Sequence, residues 1–326
     1  MKIAALLPHV EIFGGVRRYL EIGNELSRRG YRFVLFNPDG SKPEWLEFKG
    51  KTKPFSSLKD ETFDIGLCSE YSILPYFEQL SARVKFFYFV REGHKEEKEV
   101  VKRNYVFLAN SRGVFKRIEK KYGISCLKAF GGVNPNIFFP VKGEIRRDKF
   151  HILCYGRIYK RVKRVRFIIR AIEGLYRQFP RIKLVFFDSL VGKDRRDPRP
   201  MINTHVPHDF YLNLPQSKMA WLFSQADIFV SAERRAGWSN TSAEAMACRI
   251  PVVCTRRGTQ DFAFHNQTAL VAPFSSPFLL RRQVKKLIKD EKLRSRLARA
   301  GYEKIQEFSW SALVDKLEKI FHEKLK

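Results

Sequence analysis

The chain reads as an α/β protein with two consecutive domains, each a doubly wound parallel sheet covered by helices on both faces. Three observations predict this. Strand-length apolar runs alternate with longer segments whose apolar residues recur at helical spacing. The runs are apolar at nearly every position, as in sheets buried on both faces. The alternation then pauses once, at GGVNPNIFFPVKGEIRRDKF, and restarts. With 326 residues and roughly 150 per domain, the first domain is expected over 1–142 and the second over 143–308.

In the first domain KIAALLP reads as a buried strand. Gly14-Gly15 leads into a helix, VRRYLEIGNELSRRG, closed by Gly30. YRFVLFN and FDIGLCS are strands. YSILPYFEQLSA is a helix interrupted by Pro75. VKFFYFV and YVFLANS are strands, and SRGVFKRIEKKYG is an amphipathic helix ending at Gly123. In the second domain HILCYG, KLVFFD, DIFVS and PVVCT are strands. VKRVRFIIRAIEGLYRQF, KMAWLFSQA and TSAEAMACR are the helices between them, and three more close the chain. Ligands of such folds bind at the carboxyl ends of the strands, so two domains of this kind imply a cleft faced by the loops of both.

Composition narrows the function classes. Hydrophobic residues make up 44% of the chain, which excludes a disordered tail. No apolar run reaches the ~18–20 residues of a membrane-spanning helix, and the start does not read as a signal peptide. Five scattered cysteines without a C-x-x-C pair argue against a disulfide framework or zinc cluster, so a reducing cytoplasm is expected. The 62 Lys and Arg against 34 Asp and Glu leave +28, a field that draws anions. Residues 141–200 alone carry a net +12, densest at KRVKRVR, 160–166. A solvated basic helix face is the plain alternative. Nothing matches a nucleic-acid-binding module, so nucleic acid is not an expected partner.

Several residues stand where chemistry is expected. Gly14 and Gly15 allow a ligand close to a helix amino end, or simply a tight turn. Gly156-Arg157 follows a strand directly, with Lys163 at the start of the next helix, and cations there suit a phosphate. After the strand ending at Ser231, a loop with Gly237 and Asn240 leads to a helix capped by Thr241 or Ser242. Glu244 would lie in that helix's first turn, where capping alone could explain a carboxylate.

The segment AGWSNTSAEAMACRIPVV, 236–253, resembles the family 4 retaining glycosyltransferases, also called glycosyl transferases group 1, whose motif there is roughly E-G-[FW]-G-[LN]-[PT]-x-x-E-A-M-A-x-G-x-P-V-V. GGVRRYLEIGNELSRRG, GGVNPNIFFP, YGRIYKRVKRVRFIIRAI and the final FSWSALVDKLEKIF extend the resemblance along the chain. It implies the GT-B fold: two Rossmann-like domains facing a central cleft, with the last helix, 309–326, returning to the first. It implies sugar transfer from a nucleotide diphosphate sugar to an acceptor hydroxyl with retention. By the family's pattern Glu244 holds the ribose, and Arg157 and Lys163 meet the diphosphate from an open cleft. Gly258 and Thr259 offer amides to phosphate or sugar. The family pattern has a Glu that touches the donor sugar, and Ala236 stands there. Glu233 is the candidate to take its place, or else a surface partner for Arg234 or Arg235. Arg249 stands where Gly is usual. His94, in FVREGHKEE, matches a cleft His near the donor sugar, or is a surface His in a charged loop.

The resemblance implies no cofactor and no metal, since no D-x-D occurs. The expected partners are the nucleotide-sugar donor, a glycan or lipid-linked acceptor, and an anionic membrane. The enzyme is expected at the inner face of the cell membrane, in polysaccharide, lipopolysaccharide or glycolipid synthesis. Two rivals remain: a binding protein that kept the fold and lost catalysis, motivated by Ala236, and a basic nucleic-acid binder.

Overall fold

The computed structural model describes residues 1–91, 93–141, 148–192 and 195–326. Contacts divide the chain into two compact units, Met1–Gly132 with Phe308–Lys326, and Val133–Glu307. The boundary expected at 142/143 lies outside the described residues.

The first unit runs β1 (Lys2–Leu6), α1 (Gly14–Arg28), β2 (Arg32–Asn37), β3 (Lys51–Pro54), β4 (Phe63–Cys68), α2 (Leu74–Gln79), β5 (Ala82–Phe89), α3 (Glu97–Val100), β6 (Val106–Ala109), α4 (Arg112–Tyr122) and β7 (Leu127–Lys128). All seven strands are parallel, in the order β3-β2-β1-β4-β5-β6-β7. The strand order reverses between β1 and β4, which opens a crevice at their carboxyl ends. Three sequence expectations change. Gly14 and Gly15 begin α1 rather than preceding it, with Phe13 at the cap position. Pro75 sits in the first turn of α2, where its missing N–H costs nothing, so it starts the helix instead of interrupting it. The strands β3 and β7 were not foreseen.

The second unit runs β8 (Phe150–Tyr155), α5 (Val165–Tyr176), β9 (Ile182–Asp188), β10 (His208–Leu212), α6 (Met219–Ser224), β11 (Ile228–Val230), α7 (Asn240–Ala247), β12 (Val252–Thr255), β13 (Leu270–Ala272), α8 (Pro277–Lys289) and α9 (Glu291–Ile305). Its six strands are also parallel, ordered β10-β9-β8-β11-β12-β13, with the reversal between β8 and β11. Helix α5 buries Val165, Ile168, Ile169, Ile172 and Leu175, an apolar stripe at helical spacing, against this sheet's core.

The last helix, α10 (Trp310–Leu325), belongs to the first unit. Ser309 caps it by accepting from the Ala312 amide at 3.1 Å. Its face of Leu313, Val314, Leu317 and Phe321 is buried in the core that also holds Tyr19, Leu20 and Phe86. Each such side chain contributes about 1.5–3 kcal/mol. Arg29, just past α1, pairs with Asp315 at 2.7 Å and with Glu318.

Candidate active site

In the second unit, the loops after β8, β9, β11 and β12 all lie at the carboxyl ends of their strands. The sheet's topological switch point, between β8 and β11, is where ligands of open α/β sheets bind. Gly156 and Arg157 leave β8 there. A Cβ on Gly156 would come within 2.5 Å of the Phe210 ring, so the bend needs glycine. Arg157 is 7% exposed, not open to solvent as expected. Because Tyr155 lies beside Phe187 across the β8–β9 ladder, Arg157 meets Asp188 at the end of β9. Its Nε and Nη2 donate to Asp188 Oδ1 at 3.0 and 2.6 Å, and Nη2 also donates to the Ser189 carbonyl at 2.8 Å. The Asp188 pair offsets the desolvation of the buried cation.

Lys163 does not begin α5. It lies in a 3₁₀ turn, Arg161–Lys163, followed by Arg164 in left-handed backbone. From there its ammonium pairs with the Glu233 carboxylate, which comes from the loop after β11 on the other side of the switch point. The Arg234 amide donates to the Val162 carbonyl at 2.8 Å and ties the same two loops together. Glu233 is therefore buried and held by Lys163, not a surface partner of Arg234 or Arg235, which are exposed. Its second oxygen, Oε2, is buried with no hydrogen-bond partner among the described residues. Both cations lie over one ring: Arg157 is 5.2 Å and Lys163 5.3 Å from the centre of Tyr155. Burial and the Asp188 charge push the Tyr155 phenol well above its usual range, so it stays neutral beneath them.

The loop after β12 closes against the loop after β11. Thr255 Oγ1 donates to the Glu233 carbonyl at 2.6 Å, and Thr259 Oγ1 to the Thr255 carbonyl at 2.6 Å. Gly258 has φ +73°, and an added Cβ would lie 2.8 Å from Ala236 Cβ. The small residue at 236 thus packs beside the glycine loop. The Ser239 amide donates to the Gly258 carbonyl at 2.8 Å, which places Gly237, Trp238 and Ser239 over this loop.

The cap of helix α7 lies two or three residues earlier than the sequence suggests. Ser239 is its cap residue, makes no side-chain bond to a helix amide, and donates instead to Ser242 Oγ at 3.0 Å. Asn240 and Thr241 form the first turn. Glu244 falls in the second turn and is 7% exposed, so neither capping nor the free amides of the helix end account for it. Arg249 takes φ +59° just past this helix, a left-handed position where glycine is the residue of least strain.

In the first unit, Gly15 lies beside Glu70, whose Oε1 would be 3.9 Å from a Cβ there. Glu70 is paired with Arg91 at 2.7 Å, but burial outweighs that charge and raises its carboxyl above the ordinary range. His94 is half-buried. Its ring stacks on Tyr71 with centroids 4.2 Å apart and planes 1° from parallel, and it contacts Glu96. Glu97, which sequence reasoning passed over, organises this loop. Fully buried, it accepts from the amides of Gly93 and His94 at 3.0 and 3.2 Å, from Arg117 Nη1 at 2.8 Å and from the Tyr122 hydroxyl at 3.0 Å. Burial raises its carboxyl, and the Arg117 bonds and charge outweigh that, so it is held below the usual range.

The structure thus gathers Arg157, Lys163, Glu233, Gly258 and Thr259 around one switch point in the second unit. Gly15, in the first turn of α1, and His94, in a loop, belong to the first.

Comparison with known proteins agrees with this architecture. The chain is 25% identical over 197 residues to a capsular polysaccharide biosynthesis glycosyltransferase, CapM, of Staphylococcus aureus, covering 56% of this chain and 48% of that protein. The chain thus spans less than half the length of that curated relative. It superposes on a sucrose-phosphate synthase from Thermosynechococcus elongatus with a TM-score of 0.80 and 16% identity, covering 99% of this chain and 98% of that one. It superposes on Anabaena HepE, solved with UDP and glucose, with a TM-score of 0.75 and 12% identity over 99% of both chains. These likenesses establish the fold, the pair of Rossmann-like domains called GT-B. The family model for glycosyl transferases group 1 matches residues 136–304, more than half of the chain, and the protein belongs to that family.

Proposed function

We propose that this protein is a retaining glycosyltransferase. It moves a hexose from a nucleotide diphosphate sugar to a hydroxyl of a glycan or lipid-linked acceptor in polysaccharide, lipopolysaccharide or glycolipid synthesis. The observation that carries the proposal is the pair of cations over Tyr155 at the β8–β11 switch point, each held by its own carboxylate. In transfer the bond from the anomeric carbon to the diphosphate breaks, and its electron pair leaves with the diphosphate. Cations fixed in advance stabilise that developing charge without reorganising. In this proposal Arg157 and Lys163 act on the diphosphate without a metal. Glu244 holds the ribose and Gly237, Asn240, Thr241, Gly258 and Thr259 line the donor. Glu233, already joined to Lys163, supplies the carboxylate that position 236 lacks. Gly156 makes room for the turn, and Gly14, Gly15 and His94 are the first unit's contribution. HepE, whose structure holds UDP and glucose, supports a nucleotide-sugar donor of this kind.

The test is Glu244→Gln. A charge-assisted bond to ribose hydroxyls is about twice as strong as a neutral one. The variant is expected to fold normally and to bind UDP, GDP and dTDP alike at least tenfold more weakly in calorimetry. Unchanged affinity for every nucleoside diphosphate would remove Glu244 from the donor site. The enzyme's place at the inner membrane face rests on the charge of +28, with no helix among the described residues long and apolar enough to cross a membrane. At about 1 kcal/mol per cation near an anionic surface, it should sediment with anionic vesicles at low salt and leave them at high salt. Indifference to such vesicles would assign the charge to something else.

A further inference from the structure

A pocket of about 650 Å³ opens in the second unit between the β8–α5 loop and the 195–201 segment. Four arginines line it, Arg161, Arg164, Arg166 and Arg196, together with Tyr159 and Phe167. No acidic residue appears among its described lining residues, and neither Arg157 nor Lys163 does. Arg161, Arg164 and Arg166 pair with no carboxylate among the described residues. Asp197, close by in sequence, is already bound to Arg199 at 2.7 Å.

Arg161, Arg164 and Arg166, three guanidinium groups on one concavity with no carboxylate partner among the described residues, repel each other, and a bound anion would relieve that. Arg164 adds independent observations. It holds left-handed backbone, φ +53°, which a residue with a Cβ rarely adopts and which marks functional sites. Its guanidinium lies 4.8 Å over the Phe167 ring, and its Nε is buried with no hydrogen-bond partner among the described residues. A buried donor without an acceptor is a cost that a bound anion would remove. Guanidinium forks match phosphate oxygens, and the aromatic walls suit the organic part of a small molecule of the size this volume admits.

We propose that this pocket is a second anion site, distinct from the cations at the switch point, which binds a phosphate ester carrying two phosphate groups. Phosphate groups carry about −1.5 to −2 charge each, so two of them meet the charge of the three arginines that pair with no carboxylate among the described residues. The same chemistry is offered by a soluble sugar bisphosphate and by a phosphorylated lipid headgroup.

The experiment titrates the whole chain with fructose 1,6-bisphosphate and with inorganic pyrophosphate by calorimetry. In parallel it sediments the chain with phosphatidylcholine vesicles with and without phosphatidylinositol 4,5-bisphosphate. The double variant Arg164→Gly, Arg166→Ala is compared with Lys163→Ala. Gly suits φ +53° at position 164, so folding should be kept. Should that variant be unstable, Arg161→Gln, on an exposed side chain, repeats the comparison. The expected result is binding that the double variant weakens at least tenfold and Lys163→Ala leaves within twofold. Tight binding of the soluble esters identifies a free ligand. Binding to the bisphosphate-lipid vesicles alone, lost in the double variant, identifies a headgroup. The proposal is overturned if no probe binds the parent protein, or if the double variant binds as well as the parent. It is also overturned if Lys163→Ala abolishes binding that the double variant keeps, since the anion then belongs to the proposed donor site.

Discussion

Replacing Asp188 by Asn tests the centre of the second unit in two separable ways. Arg157 and Asp188 are 7% and 3% exposed, and Asp188 Oδ1 accepts from Arg157 Nε, Arg157 Nη2 and the Ser189 amide. Asn keeps one acceptor oxygen but removes the charge, and so leaves a buried guanidinium without its counter-ion. Breaking a buried pair in this way costs about 3–5 kcal/mol, and the retained oxygen argues for the lower end. With a urea slope of about 2 kcal/mol/M, the second unit's midpoint should fall by about 1.5 M. Urea unfolding followed by Trp fluorescence, which reports Trp221 and Trp238 in this unit, measures it. The two units need not unfold together, so two transitions are to be fitted. A midpoint within about 0.3 M of the parent protein would refute the argument, because the pair would then not be what keeps Arg157 buried. The second readout is UDP affinity, which should fall because Asp188 aims the guanidinium. A destabilised variant with unchanged UDP affinity would make the pair purely structural.

Two further outcomes follow from other parts of the molecule. All five cysteines are buried, and burial pushes the thiols of Cys68, Cys126 and Cys254 up to about 12. A thiol reagent at pH 8 should leave the native chain unlabelled and react with five groups in guanidinium; rapid native labelling would contradict the packing. Glu25 is held at about 2 by its bond to Arg28, against burial and with help from Arg29. A depressed carboxyl stabilises fully above its unfolded value near 4.5 and loses that contribution as pH falls through its folded value. The stability gap between the parent and Glu25→Gln should therefore be constant above about pH 5.5 and close towards pH 2. A gap that persists at pH 2 would show that the ion pair is not its source.

The strands that face apolar surroundings on both sides were legible because KIAAL, RFVLFN, FDIGLC and IKLVFFD admit no other short element. The edge strands were not. KTKP and HDFYL carry the charges that an exposed sheet edge tolerates, and so look like loop. At the site, Arg157, Lys163 and Glu233 could be singled out, but Asp188 and the pairing of each cation with its carboxylate could not. Asp188 is 31 residues from Arg157 and Glu233 is 70 from Lys163. Only the strand order brings them together. The run Ser239, Asn240, Thr241, Ser242 offers four cap-like residues in a row, so the start of α7 was misjudged and Glu244 assigned to the wrong turn. Glu97 was hidden among the charges of its own segment, though its acid is the one that is buried.

Helix α10 gives the first unit a long wait during synthesis. Its core is completed by Trp310, Leu313, Val314, Leu317 and Phe321, which leave the ribosome only after the 175 residues from Val133 to Glu307. At about 5–20 residues per second, that is a delay of about 9–35 s. Through that interval Tyr19, Leu20, Leu26 and Phe86 lack their covering face, while the second unit has all of its own chain. The unit that is made first is therefore the one that finishes last, and nascent chains should expose its apolar surface to chaperones until the C-terminal helix docks.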